Sequence, residues 1–431
     1  MGTEIEAACS GGVEVSNMLK KLRYVYLDKE SISKMIFFLY LCTLLVHHGG
    51  AGFIILFLTE LFWLLTGRQK LAVTVEIIWY GVFLLYYFLS GIWAPDRGDL
   101  FDYGIMVSFL QIMSCIVILS NHIHSVRDAE KYLKIYYLAL LYMALILVIK
   151  TPVSAWGTER VGGAIYVNAN DIGMRCTTAS LIALYYARNK RLHYIFFAFF
   201  MLIGLLSGSR KALIILAGGI LIYYLGKEKG GKRIRNICIG LILIFGILYF
   251  IMTNPALYRV IGIRMEATVR NIMGSAVYGL KDRSGIERAF YRKNAMQMFF
   301  EKPILGWGGN SFVTRMRQIH YRHIAYSHCN YTELLATLGI AGFIIYYSRQ
   351  FCMLFKSLKA FSDKKNMLIL LIISLVTVEL IIEFFYVSYY AMDTNILIGI
   401  ESLLLKCLIR DKKTGYLSLL KRCLNNSGYR E

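Results

Sequence analysis

The basic segment of this chain ends, and an apolar helix begins, within the stretch YSHCNYTELLATLGIAG at residues 326–342. His328 and Asn330 stand at this junction, where a polar loop would meet a membrane. The apolar run that follows extends to residue 348, and a helix of about 20 apolar residues is long enough to cross a bilayer. The stretch therefore predicts a membrane-spanning helix with polar side chains at its entrance.

The composition extends this interpretation to the whole chain. Of the 431 residues, 57% are hydrophobic and only 17% are charged, whereas soluble domains carry about 25% charged residues. The predicted fold is an all-α polytopic membrane protein with about 12 transmembrane helices. The predicted spans are 34–47, 51–66, 71–93, 101–120, 132–150, 169–187, 192–208, 211–226, 236–253, 330–348, 366–388 and 394–409.

The distribution of charge predicts the orientation. The chain has a net charge of +21, and most of its 48 Lys and Arg residues lie in the segments on the same side as the amino terminus. Because cytoplasmic loops carry the excess of Lys and Arg, both termini are predicted to be cytoplasmic. The predicted divisions are a cytoplasmic segment 1–33, spans 1–9 in 34–253, an extracytoplasmic loop 254–329, spans 10–12 in 330–409 and a cytoplasmic tail 410–431.

The first residues and the cysteines add little further chemistry. The first 30 residues are polar and mixed in charge, so no cleavable signal peptide is expected. Nine cysteines are scattered along the chain without a CxxC pair, and no disulfide framework is indicated.

The long outer segment 254–329 is expected to be functional. It carries 12 Lys and Arg against 4 acidic residues, and loops of this length are usually functional or disordered. Phe290, Met296 and Phe299 recur at helical spacing. We therefore expect this loop to form short helices on the outer membrane surface.

Three arginines are candidates for binding an anion on that face. Arg210 follows the polar turn 207–209, Arg160 precedes a pair of glycines, and Arg288 begins an amphipathic stretch. Taken singly, each also fits an arginine that extends to the membrane surface. Together they suit a polyanion such as pyrophosphate, because guanidinium groups bind phosphate oxygens bidentately.

His328 is the candidate general base, since an unperturbed histidine titrates near pH 6.5 and accepts a proton at neutral pH. With His320 and His323 it also forms an H-x2-H-x4-H pattern. No acidic or cysteine ligand has suitable spacing beside it, so a metal site is not expected.

Several acids fall within predicted spans. Glu379 and Glu383 are one helical turn apart, and Glu60, Glu76 and Glu333 are also in apolar runs. Such residues either pair with buried arginines or line a polar path. Because Glu333 lies five residues after His328, it is a candidate for orienting the imidazole.

Four patches, in this order, resemble the O-antigen ligase and Wzy-type polymerase family. The last two are the most specific, because Pro-x-x-Gly-x-Gly is followed by His-x-Asn and a Gly-x-x-Gly that enters a span. The family usually has His and Asn adjacent, whereas Cys329 separates them here, and Ala169 stands where it usually has proline. The patches are Arg160–Gly163 with Asn168–Asp171, Ser207–Arg210, Arg288 through Glu301 to Phe312, and Ser327–Asn330 with Leu338–Gly342.

The resemblance implies a membrane glycosyltransferase of the GT-C-like type, in a bacterial plasma (inner) membrane. Its donor would be a saccharide on undecaprenyl pyrophosphate, and its acceptor a glycan hydroxyl at the periplasmic face. By this resemblance Arg210 and Arg288 would be catalytic with His328, and Arg160, Asn170, Asn330 and Glu333 would bind substrate. No cofactor, metal or nucleic acid is implied, whereas a flippase and a chain-length regulator would be protein partners.

Three functions remain open at this point. A polymerase would extend a lipid-linked chain by repeat units, and a ligase would move a finished chain to lipid A-core or to protein. A polysaccharide transporter or flippase would instead line a path with its intramembrane charges. The clustering of the special residues at one face favours an enzyme over a transporter, and polymerase is the predicted function.

Overall fold

The computed structural model describes residues 29–47, 50–66, 71–227, 231–272, 283–319, 326–364 and 366–426, and every regular element in these ranges is helical. The first nine α-helices are α1 (Lys29–His47), α2 (Gly50–Thr66), α3 (Val75–Leu89), α4 (Arg97–Leu100), α5 (Tyr103–His122), α6 (Val126–Lys150), α7 (Ala169–Ala187), α8 (Leu192–Leu206) and α9 (Arg210–Lys227). The remaining α-helices are α10 (Gly231–Thr253), α11 (Pro255–Leu257), α12 (Ile263–Ile272), α13 (Arg283–Glu301), α14 (Ser311–Gln318), α15 (Asn330–Lys364), α16 (Met367–Ile382) and α17 (Met392–Asn426).

The apolar helices of the described residues are consistent with a membrane protein. Four described helices are long and apolar enough to span a bilayer, and a bent pair, Ile237–Thr253 with Pro255–Ala267, would be a fifth. Shorter apolar helices occur at α2, α8 and α16. The four are Val75–Ile92, Tyr103–His122, Val126–Lys150 and Asn330–Ser362.

Each of the twelve segments predicted as spans is occupied by a helix, although the ends differ. Helix α15 continues to Lys364, and α17 continues to Asn426 through the segment predicted as a tail. Both extensions lie beyond the apolar part of the helix and contain Lys and Leu, which have high intrinsic helix propensities. That all twelve cross the membrane stays a prediction.

Burial separates the interior helices from the peripheral ones. Helix α16 is apolar all round and buried along nearly its whole length, which is typical of a helix enclosed by others. Helix α7 packs against α6, α8, α9 and α16. By contrast, α2 exposes many of its apolar side chains, as expected of a helix that faces lipid.

Segment 254–329 carries helices over its described residues, as its apolar spacing predicted. A π-helical turn at Tyr258–Gly262 joins α11 to α12, and α13 and α14 follow. Helix α13 packs along α15. This contact brings the basic side chains of the outer segment to the start of α15.

Helix α15 is interrupted at Gly339, where φ is 64° and ψ is −170°. The interruption deprives the carbonyls of residues 336 and 337 and the N–H groups of residues 340 and 341 of their helical partners. The loop 303–308, which carries the Pro-x-x-Gly-x-Gly motif, provides a new hydrogen-bond partner for each of these four backbone groups. The bonds run from Trp307 N–H to Ala336 O (3.1 Å), Gly308 N–H to Thr337 O (2.7 Å), Ile340 N–H to Pro303 O (2.9 Å) and Ala341 N–H to Ile304 O (3.2 Å).

Glycine is required at both contact points of this junction. A Cβ atom on Gly339 would lie 2.3 Å from the Ile304 carbonyl oxygen, and one on Gly306 would lie 2.4 Å from the Thr337 oxygen. Gly306 also has a positive φ of 70°. Because lipid offers no hydrogen bonds, a broken helix at membrane depth needs such protein partners. The motif therefore fixes the direction of the first turns of α15.

Candidate active site

A tight turn places two of the predicted arginines side by side. Gly208 in the turn has φ 62°, and a Cβ there would lie 3.2 Å from the Arg160 side chain. Arg160 Nε donates to the Ser207 carbonyl at 2.8 Å, and Arg160 Nη2 donates to Asn170 Oδ1 at 2.8 Å. Arg210 follows as the first residue of α9. The small turn residues thus let the Arg160 loop lie against the start of α9.

Arg264 joins this group from α12. Its carbonyl oxygen accepts a hydrogen bond from Arg210 Nη1 at 2.5 Å, and its guanidinium Nη1 lies 3.4 Å from the Gly208 oxygen as a donor. These bonds attach α12 to the turn between α8 and α9. The positive charge of Arg264, from a distant part of the chain, therefore lies near Arg160 and Arg210.

Six cationic side chains gather here, and we refer to them as the cation cluster. Helix α13 contributes Arg288 and Arg292, which are one turn apart and share a face. The charges of both act on Lys211, as do those of Arg210 and Arg264. The members of the cation cluster are Arg160, Arg210, Lys211, Arg264, Arg288 and Arg292.

The electrostatics of the cluster favour an anionic ligand. Burial, followed by the charges of Arg264, Arg288 and Arg210, lowers the pKa of Arg160 to about 10. A depressed arginine pKa means that the cations repel one another in partly desolvated surroundings. A ligand with several negative charges would relieve that repulsion, and guanidinium groups suit phosphate oxygens geometrically. The site is therefore built to attract a polyanion.

His328 lies next to the cation cluster in a constrained conformation. Its φ is 58°, a left-handed backbone value that is uncommon for a residue other than glycine. Its ring packs against Tyr326 at 4.3 Å between ring centroids and against Tyr291 at 5.7 Å. Backbone strain of this kind costs roughly 1–3 kcal/mol and collects at functional sites. The strained turn and the two tyrosines together fix the position of the imidazole.

The protonation of His328 is governed by these surroundings. Burial, followed by the charges of Arg288, Lys211 and Arg292, lowers the pKa of His328 from 6.5 to about 4. The imidazole is therefore neutral at pH 7 and carries a lone pair that can accept a proton.

Glu333 supports the turn before His328 and makes no described hydrogen bond to the imidazole. Its Oε2 accepts the Ser327 N–H at 2.7 Å, and the Ser327 hydroxyl donates to the Cys329 carbonyl at 2.9 Å. The Glu333 and Ser327 side chains are both buried. These contacts support an indirect role, in which Glu333 shapes the backbone on which His328 is mounted.

Asn330 is likewise turned inward. Its Oδ1 accepts the N–H groups of Ser388 (3.0 Å) and Tyr389 (3.2 Å), and its Nδ2 donates to the Tyr347 hydroxyl at 2.9 Å. The side chain is 0% exposed. A substrate would have to break these bonds to reach it, so the geometry favours positioning of the α15 start over direct substrate contact.

The structure brings four predicted side chains to one region. These residues, which come from different parts of the chain, are Arg160, Arg210, Arg288 and His328. The charge of Arg288 acts on both Arg160 and His328, and the charge of Arg210 acts on Arg160. Asn170 borders this group through its hydrogen bond to Arg160.

Sequence reasoning missed three cations of the cluster. Lys211 directly follows Arg210, and Arg292 lies four residues after Arg288. Helical spacing could therefore have indicated both. Arg264 follows the π-helical turn and had no such signal.

A cavity of about 640 Å³ lies elsewhere, among α1, α2, α5 and α6. Its lining includes Trp63 and His122, and the His122 imidazole lies 3.2 Å from the Glu60 carboxylate. It contains none of the predicted site residues. Its size alone does not connect it with the chemistry of the cation cluster.

No group of three or more metal-ligating side chains occurs among the residues that the structure describes. His320 and His323, which form the alternative metal pattern with His328, lie outside the described residues. The free cysteines are Cys42, Cys115, Cys176, Cys238, Cys329, Cys352 and Cys407.

Residues 194–347 match the family model described as O-antigen ligase. The matched range contains Arg210, Arg288 and His328, and it covers less than half of the chain. The resemblance predicted from the motifs is confirmed over this range, whereas Arg160 and Asn170 lie outside it. No curated protein matches the chain closely enough to serve as a relative.

Proposed function

From the similarity of residues 194–347 to O-antigen ligases, we propose that this protein is a membrane glycosyltransferase that polymerises a bacterial surface polysaccharide. The donor is a glycan on undecaprenyl pyrophosphate, and the acceptor is a sugar hydroxyl of a second repeat unit. The observation that carries the proposal is the cation cluster beside a neutral histidine. A cationic site and a proton acceptor are the two groups that this transfer requires.

The cation cluster acts on the leaving group. Glycosyl transfer passes through an oxocarbenium-like state while negative charge grows on the departing pyrophosphate. Arg210 and Arg288, supported by Arg160, hold the pyrophosphate oxygens and stabilise this growing charge. Preorganised donors of this kind stabilise the transition state more than the ground state, which is what accelerates a reaction.

His328 acts on the acceptor. It takes the proton of the attacking hydroxyl as the bond to the anomeric carbon forms, and the pyrophosphate leaves with the electrons of the broken bond. Burial and, after it, the positive neighbours depress the basicity of His328 in the free protein. A bound pyrophosphate offsets these charges, so binding of the donor makes the imidazole a stronger base.

The membrane arrangement is part of the proposal. Twelve spans of the GT-C-like type, with both termini cytoplasmic and the site facing the periplasm, would present the cluster to a lipid-linked donor in the outer leaflet. The apolar faces of the peripheral helices support this arrangement, because a polyprenyl chain needs an apolar surface next to the cations. In the same arrangement, segment 254–329 lies on the outer side of the membrane. A flippase and a chain-length regulator would then be partners.

A ligase is the second candidate, and the description of the matching family favours it. In that case the same donor site would transfer the finished glycan once, to a lipid A-core or protein acceptor. The chemistry at Arg210, Arg288 and His328 would be unchanged.

The test uses the purified full-length protein and one purified undecaprenyl-pyrophosphate oligosaccharide, with a chelator present. We expect a ladder of products separated by one repeat unit, because each product is again an acceptor. A single transfer that requires an added second acceptor would establish ligation and contradict polymerisation. Loss of activity in the chelator would contradict the metal-independent mechanism.

The pH dependence of kcat/KM tests the role of His328. Since kcat/KM reports the free enzyme and the pKa of His328 is about 4, the base stays neutral as the pH falls from 7. We expect kcat/KM to remain level to about pH 5 and to decline only near pH 4. Initial rates measured over this range check the expectation.

Two further outcomes sharpen the pH experiment. The acid limb of kcat should lie at higher pH than that of kcat/KM, because the bound pyrophosphate offsets the cations. In Arg292→Gln, which removes one charge acting on His328, the kcat/KM limb should move upward. An acid limb of kcat/KM already at about pH 6.5, the ordinary histidine value, would be inconsistent with this site.

A further inference from the structure

A second group of ionisable side chains lies inside the helix bundle, separate from the cation cluster. Glu76, Arg349, Glu379 and Glu401 are 5%, 7%, 4% and 1% exposed. They come from α3, α15, α16 and α17, and α15 packs against each of the other three helices. Ionisable groups at membrane depth are costly, so they are usually present for a function.

Arg349 extends from α15 between two neighbouring helices. Its Nη2 donates to the Ile398 carbonyl of α17 at 3.2 Å, and its guanidinium lies 4.8 Å from the centre of the Trp79 ring on α3. Ile398 is one helical turn from Glu401, and Trp79 is one turn from Glu76. The guanidinium therefore lies near both carboxyl groups.

The carboxyl groups themselves approach one another across helices. Glu76 Oε1 accepts the Ser402 hydroxyl at 2.7 Å, which brings the α3 carboxyl beside the residue that follows Glu401. Glu379 is close enough for its charge to interact with that of Glu401 and with Arg349. The charges of all three carboxyl groups thus act on the one guanidinium.

Several polar atoms of this group have no hydrogen-bond partner among the described residues. They include both carboxyl oxygens of Glu379 and of Glu401, Arg349 Nε and Nη1, and both amide atoms of the neighbouring Gln350. Buried polar groups in native proteins are almost always satisfied. Internal water commonly satisfies such atoms. The arrangement therefore points to a hydrated interior site.

The charges of this group do not balance when all its members are ionised. Three carboxylates against one guanidinium leave two negative charges in excess, deep inside the bundle. Glu383, which directly follows α16 and is also buried, would only add to the excess. Arg175 on α7 does not compensate, because its guanidinium pairs with Asp393 on α17 at 2.7 Å. Buried carboxylates without counter-charges become neutral by binding protons.

We propose that Glu76, Glu379 and Glu401 form, together with Arg349, an internal proton-binding site that holds two protons in its neutral state. The ligand of this site is the proton, and the site is independent of the function proposed above. A cavity of about 40 Å³, lined in part by Glu379, Glu383 and Asp393, adjoins it. That volume is enough for a few water molecules, through which protons exchange.

The test is infrared spectroscopy of the purified full-length protein in lipid nanodiscs. At neutral pH we expect the carbonyl stretch of protonated carboxyl groups, shifted by exchange into D₂O. Glu379→Gln and Glu401→Gln should each weaken this band, since each removes a carboxyl that shares the bound protons. Glu301→Gln is the matched control, because Glu301 is partly exposed and pairs with Arg315 at 3.2 Å. That variant should leave the band unchanged.

The possible outcomes separate clearly. A wild-type protein without a protonated-carboxyl band at neutral pH overturns the proposal, and so does a band that is equally strong in both glutamate variants. If the variants do not accumulate, the wild-type band decides, and its persistence from about pH 6 to about pH 8, well above the ordinary glutamate pKa of about 4.3, supports the site. None of these readouts requires transferase activity, so this proposal and the proposed function fail separately.

Discussion

The variant His328→Ala is expected to form no detectable product while the protein still inserts and accumulates normally. Removing a general base typically lowers the rate about 100- to 10,000-fold. Alanine also deletes the ring that packs against Tyr326 and Tyr291, but it leaves the buried bonds of Ser327 and Asn330 intact. Product formation from the lipid-linked donor is the measurement, with protein level determined in the same membranes.

A matched comparison separates catalysis from folding. His124→Ala changes an exposed histidine between α5 and α6 and should retain full activity. Arg210→Ala should lose activity as His328→Ala does, since Arg210 belongs to the cation cluster. Arg191→Ala, at an exposed position before α8, should not. Retained product in both His328→Ala and Arg210→Ala, at normal protein level, would refute the assigned roles.

The variant Gly339→Ala is expected to destabilise the protein severely and to abolish activity without touching any catalytic group. The backbone conformation at this position, with φ 64° and ψ −170°, alone costs alanine roughly 1–3 kcal/mol. The added Cβ would also lie 2.3 Å from the Ile304 oxygen and 2.6 Å from Gly306 N. Because both atoms are backbone, relief requires the loop 303–308 to separate from α15. Thermal unfolding in nanodiscs measures the loss as a lowered Tm.

Gly246→Ala provides the control for this experiment. Gly246 lies within α10, and a Cβ there would meet no atom within 4 Å. Alanine is the better helix former by about 1 kcal/mol, so the Tm should not fall. A Gly339→Ala protein with unchanged Tm and activity would show that α15 does not need the break at this position.

The positions of the helices could be predicted from sequence because the determining signal is local. Apolar runs between polar turns mark where α5, α7 and α9 lie, each within a few residues of its observed bounds. The helix ends were less predictable. Lys and Leu continue a helix beyond the membrane region without any change in local propensity, as in the long carboxyl ends of α15 and α17.

The candidate site was only partly predictable because its contacts are long-range. Arg160, Arg210, Arg288 and His328 could be singled out by their neighbours in sequence, and the structure groups them. Arg264 could not, since it reaches the cluster through a hydrogen bond between its backbone and Arg210.

The roles of two predicted polar residues differ from the sequence-based interpretation for the same reason. Glu333 is a candidate for orienting His328 and, by the resemblance, for binding substrate, whereas its described hydrogen bond is to the N–H of Ser327. Asn330 was expected to bind substrate, and its amide is fully engaged by Tyr347, Ser388 and Tyr389. The spacing of residues along a chain does not reveal with which residues of other helices or loops a side chain forms hydrogen bonds.

The mutual support of the loop 303–308 and the break at Gly339 has a consequence for biosynthesis. The loop leaves the ribosome before α15 is complete. The N–H and C=O groups of the loop therefore lack their hydrogen-bond partners in α15 until residues 336–341 have been synthesised. A nascent chain that stops before residue 340 would lack half of those partners. The loop 303–308 should therefore become protease-resistant only after α15 has formed, which makes this junction a late step in the maturation of the protein.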